Sequence, residues 1–575
     1  MILNWPDLFK IVCKIDINAF ERLLTHHPNR AFIDSVLVRL HEGFWPFADT
    51  MKEGYPKLWD GLWCPPKSEQ ECDFLKEQVW TEIAAEHFSE SFGMELLLRM
   101  YSPLVHAIPK PDSDTMCLVM DHSSGDFSPN SMITWEDVVG VWLNGLHTLG
   151  VSIMWSKHNC PNADLILYKS DVSTTYRQLL MHPLYQILQI VTVGSQRYID
   201  RSNNFGGHAS QIIWQSFMSL LIWILAFMCS IGTLKCYIND AFLVARAEDI
   251  CWYEPYHQAI LTDQAKILCL WDKIHLLHTE KKKKVTGRAV TILGFEVDTN
   301  MMSVYLSMER QEQLVHSILN FTCRSLKMLQ DWLRLAGQLN WALNVYPWLR
   351  PGLGGIYAKT MGKAQMWGRI KINRTVQQEL VWFIEHVQQS SGLFFFKSMV
   401  WQEGDVGHST LTIYVDVSVW GLGIWFLSEK KGYQCPLPIL HLTDAIFFSK
   451  ALVVCSAVHI SECFPGMMHL LIATDNTNTF DIFMSLSAQP AYNPILILAV
   501  NILLHCDIDL RVIYIPGPLN HITDALLWYQ NDLVRKLVPA IQIKNFTPSQ
   551  DALGAAKKWY WYPHCWGNLP GLLGC

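Results

Sequence analysis

Short stretches of alternating apolar and polar residues occur in two separate parts of the chain. In the first part they predict strands at Leu165–Lys169 and Val290–Val297. Cys236–Val244 predicts a hairpin with Asn239 and Asp240 at its turn. Strands that are separated by longer apolar segments indicate a mixed α+β domain.

One apolar segment allows two interpretations. Phe217–Leu234 contains 18 residues without a charged side chain, which is long enough for a membrane-spanning helix. The same pattern is typical of a helix in a protein core. Stretches that resemble chemical motifs lie close to it on both sides, so we favour a core helix and no membrane partner, and keep a membrane protein as an alternative.

Leucine and alanine residues recur at intervals of three and four positions between the two parts of the chain. This spacing predicts an amphipathic helix, which ends before Pro347 and Pro351. The residues that form the apolar face are Leu326, Leu329, Leu333, Ala336, Leu339 and Leu343.

The second part alternates strands with helices and therefore predicts an α/β domain. The predicted strands are Leu411–Val415, Gly421–Leu427, His469–Thr474 and Leu510–Ile515. Helices are predicted at Ile446–Ile460 and from about His521.

Composition limits the class of protein. A chain of 575 residues favours about two to four domains. Hydrophobic residues make up 50% and charged residues 17%, which excludes a disordered chain. The 16 cysteines are scattered without a CxxC pair, and Met1–Pro6 lacks the order of a signal peptide. We therefore expect reduced thiols and an intracellular protein, in the cytoplasm or the nucleus.

The net charge of −7 gives no indication of a nucleic-acid partner. A local excess of basic residues does, because Tyr305–Thr375 contains ten Lys and Arg residues and three acidic ones. Such a region suits a duplex backbone, and the alternative is a solvated helical face with core tryptophans. The interleaved tryptophans are Trp332, Trp341, Trp348 and Trp367.

Acidic residues stand at the ends of predicted strands in both parts. Examples are Asp171, Asp240, Asp416 and Asp475. Carboxylates at a sheet edge can converge on Mg²⁺ or Mn²⁺, and two such ions about 4 Å apart support phosphoryl transfer. A single Asp after a strand is more often a turn former or a helix cap, so the hypothesis depends on order and spacing.

Five short motifs follow one another in the order found in reverse transcriptases, and the chain resembles that family through them. They are Ser170–Tyr176 (motif A), Phe205-Gly206-Gly207 (motif B), Tyr237-Ile238-Asn239-Asp240 (motif C), the Leu-Gly strand Leu293-Gly294-Phe295 and the helix Leu335–Trp341. The resemblance implies metal ligands at Asp171 and Asp240. It also implies that Tyr176 gates against the ribose 2′-hydroxyl and that Gly206 lies under the incoming nucleotide.

Further positions resemble the nucleotide-binding parts of the same family. Lys110 stands where the fingers lysine contacts the triphosphate, whereas Cys117 occupies a position that is usually basic. A thiol is a poor phosphate ligand compared with an arginine fork. Lys281–Lys284 corresponds either to the motif D lysine or to a solvated loop.

The second part resembles ribonuclease H. The matching residues are Tyr414-Val415-Asp416, Gly421-Leu422-Gly423, Thr474-Asp475-Asn476 and Asn520–Leu526. The resemblance implies metal ligands at Asp416, Asp475 and Asp524. It also places Lys450 where the family has a glutamate, and we expect His521 to cap or pack rather than to catalyse.

The two resemblances together imply reverse-transcriptase fingers, palm and thumb followed by an α/β ribonuclease H-like domain. The expected divisions are 1–90 of unknown role, 91–303 for fingers and palm, 304–400 for a basic helical thumb and connection, 405–540 for the ribonuclease H-like domain and 541–575 for a tail.

The expected function is that of a degenerate retroelement enzyme. It is an RNA-directed DNA polymerase with ribonuclease H, using two Mg²⁺ or Mn²⁺ ions, a template–primer duplex and deoxynucleoside triphosphates. Asn239 lacks the charge of a motif C carboxylate, and Lys450 places an ammonium among three aspartates. Both changes impair metal binding, so the alternative is a non-catalytic nucleic-acid-binding remnant.

Overall fold

The computed structural model describes residues 2–61, 65–66, 68–109, 115–278, 285–389, 409–438 and 445–549. The chain divides into two units, the first comprising Met1–Leu293 with Val297–Met301 and the second comprising Gly294–Glu296 with Met302–Cys575. Both units mix helices with strands, as the sequence pattern predicts.

The first unit has a central antiparallel sheet, sheet 1, with four strands among the described residues. The strands are β1 (Leu165–Asp171), β2 (Lys235–Tyr237), β3 (Asp240–Arg246) and β4 (Val285–Gly287), in the spatial order β4-β1-β3-β2. Tyr168, Ala241 and Leu243 lie on the face that packs into the main core of the unit. Alternation along the strands therefore puts Asp171 and Asp240 on the opposite face.

Helices and short strands surround sheet 1. The α-helices are Ile17–Leu23, Arg30–Glu42, Glu69–Ala84, Leu146–Asn159, Pro183–Gln186, α1 (Ser210–Trp223) and Thr262–Lys273. The further strands up to residue 292 are Trp59–Asp60, Tyr101–Ser102, Leu104–Pro109, Met116–Asp121, Ile190–Val193, Gln196–Ile199, Ile250–Tyr253, Gln258–Leu261 and Ala289–Ile292.

The apolar segment of the first unit is a helix of its core. Helix α1 continues as one π-helical turn, Ile224–Met228, and Ser210–Met228 is the stretch of the described chain that is long and apolar enough to cross a membrane by length and composition. Its residues Trp214, Phe217, Leu221 and Ile224 are fully buried in the main core. This packing favours the core-helix interpretation.

Two details differ from the pattern-based predictions. The turn of the hairpin consists of Ile238 and Asn239, because Asp240 already pairs with Tyr237 as the first residue of β3. The predicted strand Val290–Val297 is two strands, Ala289–Ile292 and Phe295–Asp298. Leu293 and Gly294 between them have φ of 53° and 85°, so this Leu-Gly pair forms a turn.

The second unit begins with a helical region. Its helices are Met308–Thr322, α2 (Leu329–Ala342), Gly354–Thr360 and α3 (Arg374–Gln389), with a 3₁₀ helix at Pro347–Leu353. Strands occur at Ser303–Tyr305, Leu326–Met328 and Arg369–Lys371, and the last two pair antiparallel.

The second unit continues with a larger sheet, sheet 2, which has six strands in the described part of the chain. The strands are β5 (Thr410–Val417), β6 (Gly421–Phe426), β7 (Lys431–Pro436), β8 (His469–Thr474), β9 (Asp509–Tyr514) and β10 (Gln542–Asn545), in the spatial order β9-β8-β5-β6-β7-β10. β5, β6 and β7 are antiparallel neighbours, whereas β5, β8 and β9 run parallel.

Helices accompany sheet 2. They are α4 (Ala445–Ser461), Thr477–Ser485, α5 (Asn493–Cys506), α6 (His521–Leu527) and Asn531–Leu537, with a 3₁₀ helix at Gly517–Asn520. The apolar residues of α4 and α5 form one core with the strands, and Trp348 of the helical region packs against that core.

A buried glutamate joins α3 to α5. Oε2 of Glu379 accepts a hydrogen bond from the Gly355 amide at 2.6 Å, and Oε1 accepts one from Nδ2 of Asn493 at 2.7 Å. The same Nδ2 donates to the Pro351 carbonyl at 2.8 Å. Burial outweighs these hydrogen bonds and raises the pKa of Glu379 to about 7.

The raised pKa makes the stability of the second unit depend on pH. The folded chain keeps a proton on Glu379 that the unfolded chain releases near pH 4.5, so this residue costs stability as the pH rises from about 4.5 to 7. We expect Glu379→Gln to remove up to about 3 kcal/mol of this cost. Urea unfolding of both chains at pH 5 and pH 8 measures it.

The comparison needs a surface control. Glu312 is exposed on the helix Met308–Thr322, so Glu312→Gln makes the same chemical change outside the core. If the stability difference between wild type and Glu379→Gln is the same at both pH values, the coupling of this glutamate to folding is wrong.

Candidate functional site

The last residue of β1 and the first residue of β3 are both aspartates and lie directly opposite each other. Asp171 and Asp240 are partners in the antiparallel register of sheet 1. The Nδ2 group of Asn239 donates a hydrogen bond to Oδ1 of Asp171. The ammonium of Lys169 lies 3.4 Å from Oδ1 of Asp240. Each acid of the predicted polymerase site is therefore already bound by a donor of the protein itself.

The turn that carries Asn239 is held by its backbone. Nε1 of Trp214 in α1 donates to the Ile238 carbonyl at 2.8 Å, and the Val172 amide donates to the Asn239 carbonyl at 2.9 Å. Ile238 has φ of 54°, a conformation that costs a β-branched residue roughly 1–3 kcal/mol. Packing and hydrogen bonds of the core thus fix a strained turn beside the acid pair.

The predicted gate residue lies close to this turn. Tyr176 is buried, and its ring centroid is 4.8 Å from that of Phe205 and 6.4 Å from that of Trp214. Burial, and to a lesser extent Tyr237, raises the pKa of Tyr176. The structure therefore brings residues of motifs A, B and C together.

Gly206 is packed against a neighbouring strand. A Cβ atom at this position would clash with the carbonyl oxygen of Met120. The loop is further held by Asn130, whose Nδ2 donates to the Gly206 carbonyl at 2.8 Å and whose Oδ1 accepts from the His208 amide at 2.8 Å. A glycine is thus required by close backbone approach, whether or not a nucleotide binds there.

We expect Gly206→Ala to destabilise the first unit by about 1–3 kcal/mol, because the clashing atom belongs to the backbone and cannot rotate away. Gly232→Ala is the matched control, since a Cβ there has nothing within 4 Å. Thermal unfolding of both variants measures the difference. Equal melting temperatures would show that the loop is not packed in this way.

The second candidate site lies at the carboxyl ends of two parallel strands of sheet 2. Val415 of β5 pairs with Thr474 of β8, so Asp416 and Asp475 follow at adjacent positions. The ammonium of Lys450, on α4, lies 3.1 Å from Oδ1 of Asp416 and 3.0 Å from Oδ1 of Asp475. This lysine bridges the two carboxylates that the sequence predicts as metal ligands.

Helix α6 brings the third aspartate to the same place. Nδ2 of Asn520 donates to the Val415 carbonyl at 3.0 Å and so fixes the start of the helix on β5. A Cβ at Gly423 would lie 2.6 Å from the Thr523 carbonyl, so glycine allows β6 to approach the helix. Asp524 follows in the first turn of α6. His521 is exposed, so it does not pack as we expected.

Charge and burial act against each other at this cluster. Burial raises the pKa of Asp416, and the nearby Asp524 and Asp475 raise it further, against the opposing effect of the Lys450 ammonium. The same aspartates raise the pKa of Lys450 although its burial acts in the opposite direction. The lysine therefore remains a cation and balances part of the negative charge.

Neither set of residues fits the divalent ions that the resemblance implies. Within the described ranges, no group of three or more His, Cys, Asp and Glu side chains is arranged to hold a metal ion. In sheet 2 the Lys450 ammonium stands between two of the carboxylates, and in sheet 1 an amide and an ammonium engage the acids. We therefore derive no chemical step through a metal at either site.

Some predicted residues cannot be placed. Lys110 and Lys281–Lys284 lie outside the described residues. Cys117 is an exposed thiol on the strand Met116–Asp121, where it pairs with Ile108.

The tryptophans of the basic region divide between the two interpretations. Trp332 is fully buried, and Trp341 stacks on Phe295 with ring centroids 4.4 Å apart. Together with Trp348 these are core residues, as the alternative interpretation holds. Trp367 is 71% exposed and is free to contact a ligand.

Basic side chains near Trp367 lie on one ribbon. The paired strands Leu326–Met328 and Arg369–Lys371 form this basic ribbon, in which Arg369 and Lys371 share one face and are both exposed. Arg324 is also exposed and precedes the first strand by two residues.

Pattern analysis of the sequence overlooked Lys169. The signal was present, because Lys169 and Asp171 are two positions apart on one strand and must share a face. What the sequence does not contain is the register of β1 against β3, which puts the lysine within reach of Asp240.

Comparison with known proteins gives a likeness of the chain path and nothing more. Neither a scan of protein-family profiles nor a search of curated proteins finds a match. Among solved structures, a foamy viral protease-reverse transcriptase dRH with double-stranded DNA has 12% identity and a TM-score of 0.44 over 87% of this chain and 82% of that one.

Two further structures of the foamy viral protease-reverse transcriptase are similar to the same degree. The complex with an RNA/DNA hybrid has 11% identity and a TM-score of 0.45, covering 87% of this chain and 63% of that one. The complex with double-stranded DNA has 12% identity and a TM-score of 0.44, covering 94% and 98%.

Proposed function

We propose that this chain is a degenerate retroelement reverse transcriptase–ribonuclease H that binds a nucleic-acid duplex, has lost ribonuclease H chemistry and has impaired polymerase chemistry. The observation that carries the proposal is the Lys450 ammonium, which bridges Asp416 and Asp475 at 3.1 and 3.0 Å. A two-metal site needs these carboxylates as ligands, and here they bind a lysine.

The arrangement of the first site supports the polymerase part of the proposal. Asp171 and Asp240 face each other at the ends of adjacent strands, and Tyr176 lies beside the loop that contains Gly206. Two carboxylates at a rigid sheet edge next to an aromatic pocket suit a nucleotide with its metal ions. Asn239 removes one negative charge from this set, which weakens the neutralisation of phosphate.

The topology of sheet 2 supports the ribonuclease H part. Three antiparallel strands are followed by strands parallel to the first, and aspartates stand after β8, on α6 and near the end of β5. Asp416, Asp475 and Asp524 then converge from three elements, as the resemblance requires. Lys450 takes the place of the fourth acid and stabilises the fold of the cluster by charge balance.

The basic ribbon supports duplex binding. Arg324, Arg369 and Lys371 are exposed cations on neighbouring positions, with Trp367 exposed beside them. Such cations bind phosphates without regard to sequence, and binding weakens as salt increases because counterions are released. An exposed aromatic ring adds a stacking surface.

A binding measurement tests the proposal. We expect the full chain to bind a fluorescent RNA/DNA hybrid in EDTA and not to cleave its RNA strand when Mg²⁺ is added. Arg369→Gln/Lys371→Gln should make the slope of log affinity against log salt less steep by about 2, because two phosphate contacts are lost. Fluorescence anisotropy at several salt concentrations measures this slope, and a denaturing gel measures cleavage.

The matched control is Arg535→Gln/Lys536→Gln, which removes the same charge from an exposed position on the helix Asn531–Leu537. An equal effect of both pairs would mean that net charge alone determines binding. Absence of duplex binding, or Mg²⁺-dependent cleavage by the chain as it stands, contradicts the proposed function.

A further inference from the structure

Lys169 lies where a metal-dependent site has no use for a cation of its own. The side chains of Lys169 and Asp240 are 25% and 19% exposed, and 3.4 Å separates the ammonium from Oδ1. The lysine reaches diagonally across from β1 to β3, because Asp171 rather than Lys169 is the direct partner of Asp240. The pair is partly buried, so salt screens it less than a surface pair.

We propose that Lys169 is a built-in counter-cation of the acid pair in sheet 1 and that it excludes divalent ions from this site together with Asn239. The proposal deepens the proposed function, on which it rests, by naming the residue that determines metal binding at the polymerase site. The two residues divide the work, since Asn239 binds Asp171 and Lys169 binds Asp240.

The consequence is that reversing Asn239 alone is insufficient. Asn239→Asp adds a carboxylate, but the ammonium of Lys169 still occupies Oδ1 of Asp240. A positive charge this close to a shared carboxylate also repels an arriving divalent ion. Tight metal binding therefore requires both changes, Asn239→Asp and the loss of the lysine charge.

Lys235 provides a matched control. Lys169 and Lys235 pair with the same residue, Phe242, from the two strands that flank β3. Both lysines therefore lie on one rung and on one face of sheet 1. Within the described contacts, no ion pair joins Lys235 to Asp171 or Asp240, so its removal changes the local charge without freeing a carboxylate.

The test measures Mn²⁺ binding by the full chain without nucleic acid, from the electron paramagnetic resonance signal of the free ion. We expect Asn239→Asp/Lys169→Met to bind Mn²⁺ at least about tenfold more tightly than Asn239→Asp, and Asn239→Asp/Lys235→Met to stay within about threefold of Asn239→Asp. Asn239→Asp/Lys169→Arg keeps the charge and should behave like Asn239→Asp.

Two additions keep the result decisive. Lys169→Gln is a second neutral variant in case Lys169→Met impairs folding, which circular dichroism and thermal unfolding reveal. Adding Asp240→Asn to the tightly binding double variant should abolish the gain and so locate it in sheet 1.

The proposal is overturned if Asn239→Asp alone binds Mn²⁺ as tightly as the double variant, or if the Lys235 variant gives the same gain. Because no nucleic acid is present, a failure of duplex binding overturns the proposed function without deciding this result.

Discussion

Carboxylates that gather at the end of a sheet repel one another, and the fold tolerates them only when something neutralises their charge. In this chain the neutralising groups come from the protein. Lys450 lies between Asp416 and Asp475, and Lys169 lies beside Asp240. A cluster of acids that is satisfied internally folds without a metal ion and offers that ion little.

The two sites differ in how far this replacement goes. In sheet 2 an ammonium contacts two carboxylates at 3.1 and 3.0 Å and is 15% exposed, so a divalent ion would have to displace a cation. In sheet 1 the ammonium contacts one carboxylate at 3.4 Å, and the other receives a neutral amide. Fewer changes therefore separate the first site from metal binding than the second.

Much of the architecture could be predicted from sequence, because strand alternation is a local property. The strands that end in Asp171 and Asp416, and the strand His469–Thr474, lie where the pattern places them. The Leu-Gly turn was missed because an apolar run does not reveal a break at φ above zero. The contact between Lys169 and Asp240 was missed because strand register depends on tertiary structure.

Burial explains the remaining differences. Three of the four tryptophans in the basic region belong to cores, and the sequence shows only that they are interleaved with cations. Likewise, nothing local marks Glu379 as a buried acid that joins two helices, since its partners Gly355 and Asn493 are far away in the chain. Charge patterns indicate that a surface exists, whereas packing decides which residues belong to it.

The central claim is that protein cations occupy the positions of metal ions. Anomalous diffraction from crystals of the unmodified chain soaked in Mn²⁺ tests it most directly. The account predicts no manganese peak at either aspartate cluster, with the Lys450 ammonium between Asp416 and Asp475. A manganese ion bound to these two aspartates, with the lysine displaced, would contradict it.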